Sequence, residues 1–482
     1  QAVFTAGYSN RNFIMLINQT IIITSNNYTS WFENGIAKDT VEQNATVYLR
    51  GTFNNLNFNF PKKVHVIGEN CLINNGTISL TQDAHQSTIT NVTINNKYKE
   101  DFNVHGIEIY EVNNCKITNV NIANYGQFES LGIFAYSSNG NRITNCTINT
   151  SGDYVNNGIF LYASDTNTLE NNIININQSN ESIPYTNAVQ FNEKIGTITE
   201  ILHNHGIVLV YSSDNTINKN KVNATSMFNS YMHPEETCQN SIVGIDVYFE
   251  SHNNKVTNNN ISINSYAPFS YGMGVLGGQW GTSMSSSNAA KNIYQYNNVT
   301  VLGGYFATGF IAGRNSINTI VDSNIFKIEA RKNSSVQGDY SFGVTLENST
   351  QSNITDNHFA IKGASVYGME LFDSGNNTIF NNTLFANATY PYAIAGYSAS
   401  NNNILNNTLM LKKGNYGTIT PAAHADAIPY GDEAIMFMTS SNSNTIKFNH
   451  INTTANTTVK LGNQTSNNIV TENSLVAKTR IG

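Results

Sequence analysis

The sequence predicts an all-β chain folded as a single-stranded right-handed parallel β-helix, with coils of about 25 residues, loop insertions and an N-terminal cap. Three observations predict it. A glycine followed by alternating apolar residues recurs along the chain. A second apolar pair follows each such motif after a polar turn. Asn, Thr, Ser and Gly are dense everywhere, which disfavours helices.

The repeat begins with Gly106-Ile-Glu-Ile-Tyr, Gly132-Ile-Phe-Ala-Tyr, Gly158-Ile-Phe-Leu-Tyr, Gly206-Ile-Val-Leu-Val and Gly244-Ile-Asp-Val-Tyr. It continues with Gly343-Val-Thr-Leu-Glu, Gly368-Met-Glu-Leu-Phe and Ala393-Ile-Ala-Gly-Tyr. Gly343, Gly368 and Ala393 are spaced by 25 residues, a common coil length. Its second half reads Ile117 and Ile122, Ile143 and Ile148, Ile354 and Phe359, Ile379 and Leu384. Longer steps mark insertions between Gln178 and Asn204, Asn223 and Val243, Ser265 and Asn292, and Lys412 and Asp432. A propeller blade needs four strands per repeat, too many for this length. In each motif the first and third residues after glycine point inward and the second and fourth outward, by the period of two. The glycine itself suits a turn that needs positive φ.

Paired polar residues punctuate the turns: Asn171-Asn172, Asn258-Asn259, Asp356-Asn357, Asn381-Asn382 and Asn406-Asn407. The second member is expected to stack along the axis as a hydrogen-bonded ladder, and the first to face outward. Residues 1–75 are expected to form an N-terminal cap and first irregular coils, with 1–40 the cap itself. Residues 76–475 carry the β-helix and 476–482 a C-terminal tail.

Composition narrows function. Apolar residues make up 40% of the 482, so the chain folds, while charged residues supply only 12%. Net charge is −7 with no basic stripe, which argues against nucleic acid. No apolar run reaches membrane-spanning length. Cys71, Cys115, Cys146 and Cys238 match no metal-site spacing; buried free thiols and one disulfide are both compatible with them. About 22 Asn-x-Ser/Thr triplets occur, among them Asn18, Asn44, Asn91, Asn145, Asn223, Asn298, Asn353, Asn381, Asn406 and Asn456. An Asn- and Thr-rich chain makes such triplets by chance. Asn145, Asn381 and Asn406 stand out because they fall on the outward turn position.

Chemistry would need paired carboxylates on outward positions of neighbouring coils. Glu347 and Glu370 lie on consecutive coils with Asp373 nearby, and these three are the catalytic candidates. A lyase using them would add calcium held by carboxylates. His203 and His205 would share one strand face, but no third metal ligand is evident, so no metal site is assigned. The outward aromatics Tyr110, Phe134, Tyr136, Phe160, Tyr162 and Tyr248 form a stripe. Such a stripe stacks sugars, or buries against a partner or against the insertions.

From about residue 76 to 475 this pattern resembles the right-handed β-helix superfamily of carbohydrate-binding proteins and sugar hydrolases. Within it, the chain looks most like the Asn-rich adhesin-like surface proteins of archaea and some bacteria. Copper-handling NosD-like proteins share the fold. The resemblance implies a secreted, N-glycosylated, non-catalytic surface protein: an adhesin, or a surface-layer or filament subunit that self-associates and carries or binds glycans. Its signal peptide would be removed before Gln1. The alternative it implies is a polysaccharide lyase or glycoside hydrolase acting on the outer face.

Overall fold

The computed structural model describes residues 2–4, 13–15, 18–97, 103–126, 129–153, 155–179, 204–227, 241–275, 288–313, 315–331, 339–416, 433–454 and 457–477. It is a right-handed parallel β-helix. Each coil contributes a long strand, a short strand and a third strand, and each strand pairs with its counterpart one coil on. Asn103–Tyr110 pairs with Glu129–Tyr136, then Val155–Tyr162. Lys116–Thr118 pairs with Arg142–Thr144, and Asn121–Gly126 with Thr147–Gly152. In the tightest coils the third and long strands run together, as in His358–Phe372 and Thr383–Tyr397.

Register stacks like on like. Ile107, Ile133, Ile159, Ile207 and Ile245 form one inward column, and all are fully buried. The core is therefore a set of aliphatic files at the coil spacing of about 4.8 Å.

The expected ladder is present. Asn172 Nδ2 donates to Asn220 Oδ1 at 3.0 Å, Asn220 to Asn259 at 3.1 Å, and Asn259 to Asn297 at 3.0 Å. The file continues through Asn324, Asn357, Asn382, Asn407 and Asn449 to Asn473. Each ladder backbone N–H also donates to the next Oδ1, as Asn357 does to Asn382 at 2.9 Å. A second file, from Asn141 through Asn167, Asn215 and Asn254 to Asn292, lies one turn away. Sequence reasoning foresaw only the first file.

The outward member of each pair adopts left-handed backbone: φ is 56° at Asn171, 57° at Asn258, 55° at Asp356 and Asn381, and 58° at Asn406. Asn and Asp tolerate that region because their side chains bond locally. The repeat glycines correct an expectation. They are not among the positive-φ glycines, which are Gly35, Gly51, Gly140 and Gly274. Their reason is space: a Cβ on Gly158 would stand 2.6 Å from the Gly206 carbonyl oxygen and 2.3 Å from Ile174 Cγ2. The strand bends at this position, so glycine and its successor both face the interior.

The parallel ladder reaches back to Thr20–Ile23, which pairs with Ala45–Asn54, itself paired with Val64–Asn74. The short helix Tyr28–Trp31 sits in the region assigned to the cap. Tyr28 stacks on Phe32 at 4.8 Å, and both meet Phe58 edge-on. The opposite end is open among the described residues. Ile446 and Ile451 are fully buried, yet their counterparts one coil on, Val470 and Leu475, are 41% and 51% exposed.

Cys71, Cys115 and Cys146 are buried free thiols. Burial pushes their pKa up, to about 12 at Cys71 and about 11 at the other two. Cys238 lies outside the described residues.

Candidate functional site on the long face

Four outward columns run along the long strands: two precede the repeat glycine and two follow it. The fourth position after glycine aligns Tyr110, Tyr136, Tyr162, Val210 and Tyr248. Tyr136 and Tyr162 stack at 5.5 Å, and Tyr110 meets Tyr136 at 5.7 Å. One column away, Phe134 and Phe160 approach to 5.2 Å. The stripe is not uniformly exposed. Phe134, Phe160 and Tyr248 are buried with Leu131, Val208 and Val210 in a satellite core, Tyr136 and Tyr162 are half-buried, and Tyr110 is exposed.

A second aromatic file escaped sequence reasoning. Phe342, Tyr367 and Tyr392 immediately precede their repeat positions and stack at 5.2 and 5.0 Å. Phe269, Phe306 and Tyr340 continue it one column over, at 5.1 and 5.3 Å. The signal was an aromatic at constant spacing before Gly343, Gly368 and Ala393.

The catalytic candidates lie beside this file. Register sets Glu370 opposite Thr345, and Glu347 opposite Phe372, so the two glutamates are diagonal neighbours on adjacent coils. Burial, then the charge of Glu347, raise the Glu370 pKa to about 8; a hydrogen bond from Thr345 opposes this. Glu370 is therefore mostly a neutral acid at pH 7. The buried Tyr397 hydroxyl has no hydrogen-bond partner among the described residues. Its titration is pushed upward by burial and then by Glu370. Asp373 stands apart: it is exposed, in a turn with φ 46°.

Two imidazoles mark the other end of the face. His105 Nδ1 lies 2.6 Å from Glu108 Oε1, its Nε2 lies 3.5 Å from Glu129 Oε2, and Ser79 donates to Glu108 at 2.8 Å. Burial opposes the imidazolium, but hydrogen bonds and charges from both glutamates outweigh it and raise His105 to about 10. His205 is buried with Nδ1 3.0 Å from Asn157 Oδ1 and Nε2 3.4 Å from Asp246 Oδ2. His203 lies outside the described residues, so the expected histidine pair is represented by His205 alone.

The named sequons face outward. Asn18, Asn91, Asn145, Asn298, Asn353, Asn381 and Asn406 are exposed, and Asn44 and Asn223 half-buried. Asn456 lies outside the described residues. None of the buried asparagines begins an Asn-x-Ser/Thr triplet. Period two explains this: two residues after an inward asparagine comes another inward position, which the core reserves for aliphatic side chains.

Residues 64–289 match the family described as right handed beta helix region, and residues 307–482 match the family described as periplasmic copper-binding protein (NosD). Among curated proteins none matches. Solved structures similar to this chain include DFA-IIIase from Arthrobacter chlorophenolicus A6 in complex with DFA-III, at 11% identity, covering 91% of this chain and 89% of that one with TM-score 0.41. The A-module of the Azotobacter vinelandii mannuronan C-5 epimerase AlgE6 is 11% identical, covering 91% and 92% with TM-score 0.43. The Dettilon tailspike protein is 13% identical, covering 91% and 68% with TM-score 0.36. The two matches together follow most of the solenoid, and the chain has the right-handed parallel β-helix fold that the strand pairing shows.

The copper binding printed for that family finds no cluster of His, Cys, Asp or Glu among the described residues. The segment 307–482 has no cysteine. Its described histidines, His358 and His450, occupy one outward column three coils apart. Among the described residues no three His, Cys, Asp or Glu side chains group to hold a metal, and no helix is long and apolar enough to cross a membrane.

Proposed function

We propose that this protein is an exported, N-glycosylated surface protein whose β-helix serves a structural or adhesive role. The observation that carries the reading is the segregation of asparagines. Inward asparagines hold coils together, and most of the described sequon asparagines named above stand exposed on the outer surface. Glycans would solvate a surface with few charges. A periplasmic family over residues 307–482 agrees with export. Self-association into an oligomer or filament through strand edges is part of this reading. The open aromatic at Tyr110 suits contact with sugars.

Intact mass of natively purified protein, before and after chemical deglycosylation, tests the reading together with light scattering. Masses well above 53.0 kDa that fall on deglycosylation, in a large assembly, are expected. A bare monomer would overturn it.

A second reading has one observation in its favour, the Glu347–Glu370 pair. A neutral Glu370 beside a second carboxylate is the arrangement a glycosidase uses, one acid protonating the leaving oxygen and the other serving as base or nucleophile. If polysaccharide cleavage is found and Glu370→Gln abolishes it, this reading replaces the structural one.

A further inference from the structure

The geometry points to a binding groove for an anionic polysaccharide on the short-strand side, away from the long face. The groove has a volume of about 460 Å³ and runs across four successive coils. One wall is the outward short-strand column Lys255, Ile293, Ile320 and Asn353, held in register by parallel pairing. The other is a column of left-handed turn residues, Asn253, Lys291, Asn318 and Gln351, with φ of 56–59°. Each turn is pinned to the next coil through its backbone N–H, as Asn253 is to Ala290 O at 3.0 Å and Asn318 to Thr350 O at 3.0 Å. The walls are therefore preformed, which limits the ordering cost of binding.

The lining selects its ligand. Lys255 and Lys291 are exposed, stand on adjacent coils and are the only charged side chains among the described residues that line the groove. None of those described lining residues is a carboxylate, although the whole chain carries −7. Ile293 and Ile320 are half-buried and offer an aliphatic floor to the C–H face of a sugar ring. Four side-chain amides beside them can donate to and accept from hydroxyls. The coil step of about 4.8 Å is close to the advance of one pyranose along an extended chain, so successive rings meet equivalent positions. Carboxylate of a uronate, or a sulfate ester, would pair with the lysines.

The test is binding of the full chain to polygalacturonate, dextran sulfate and uncharged dextran by isothermal titration calorimetry. Binding to either polyanion, little binding to dextran, and weakening with added salt are expected. The double substitution Lys255→Gln with Lys291→Gln, both at exposed positions, should cut affinity about tenfold while leaving the thermal midpoint unchanged. Ile320→Asp, which puts a carboxylate on the aliphatic floor, is a second variant that should weaken binding. Equal binding to dextran, no binding to either polyanion, or binding indifferent to the lysines would overturn the inference. The inference goes beyond the glycosylated-surface reading: unglycosylated monomer that binds polyanion would sink that reading and leave this one standing.

Discussion

Asn381 and Asn382 are adjacent in the chain and live in different worlds. Asn382 is buried, accepts from the Asn357 backbone at 2.9 Å, and donates to Ile354 O at 2.8 Å and Asn407 Oδ1 at 3.0 Å. Asn381 is exposed, with Nδ2 2.5 Å from Asp356 Oδ1. The same contrast runs the length of the solenoid. Inside, each rung must satisfy the rung below and offer the same acceptor to the rung above, so one residue type recurs. Outside, a position only has to tolerate water and a tight turn, so Lys219, Tyr296, Ser323 and Phe448 all occupy the left-handed position that Asn381 takes. The interior specifies the fold, and the exterior is free to carry function.

The sharpest way to break this contrast is to exchange the roles. Asn382→Ala should destabilise by about 3 kcal/mol or more, because it leaves buried donors of Asn357 and the carbonyl of Ile354 unpaired. Denaturant unfolding measures it. Gly158→Ala should follow, at about 2 kcal/mol, since its Cβ collides with the Gly206 carbonyl and Ile174. Ala393 shows that the last coils admit a methyl at the equivalent place, so the cost belongs to the glycine-lined coils. Glu370→Gln should act oppositely and stabilise by about 1–3 kcal/mol at pH 8. Its folded pKa of about 8 exceeds the 4.5 of a free glutamate side chain, so the folded state holds a proton that the unfolded state has released. Stability therefore falls as pH rises from about 4.5 to 8, and the variant should lose that slope.

His105 sharpens the comparison at the other end of the face. Its folded pKa is raised from 6.5 to about 10, so its contribution is complete below 6.5 and disappears as pH rises through 10. His105→Gln should flatten the melting curve in that window. The smallest effect belongs to Asn381→Gln, expected to change stability by under about 0.5 kcal/mol while removing one sequon.

What was legible in the sequence follows the same division. The inward files Ile107 to Ile245, and the Asn172-to-Asn473 ladder, repeat because register demands it, and repetition is what a sequence displays. The glycines were visible as a pattern, but their cause was not: a clash with the next coil's carbonyl depends on stacking distance, whereas a positive φ would have been a local property. Phe342, Tyr367 and Tyr392 were overlooked because the strand bends at the glycine, which moves the preceding residue to the outer face. Tyr110 and Tyr248 share a column, yet one is exposed and the other buried. That difference comes from what lies over each, and no strand period encodes it. The same holds for Glu370, whose outward position was readable and whose partial burial was not.

Glycopeptide mass mapping of protein purified from its native source tests most directly the claim that the outer asparagines carry the function. Occupancy is expected at exposed turn sites such as Asn145, Asn381 and Asn406. Unmodified peptides at all three, from material that has passed through the export route, would contradict it.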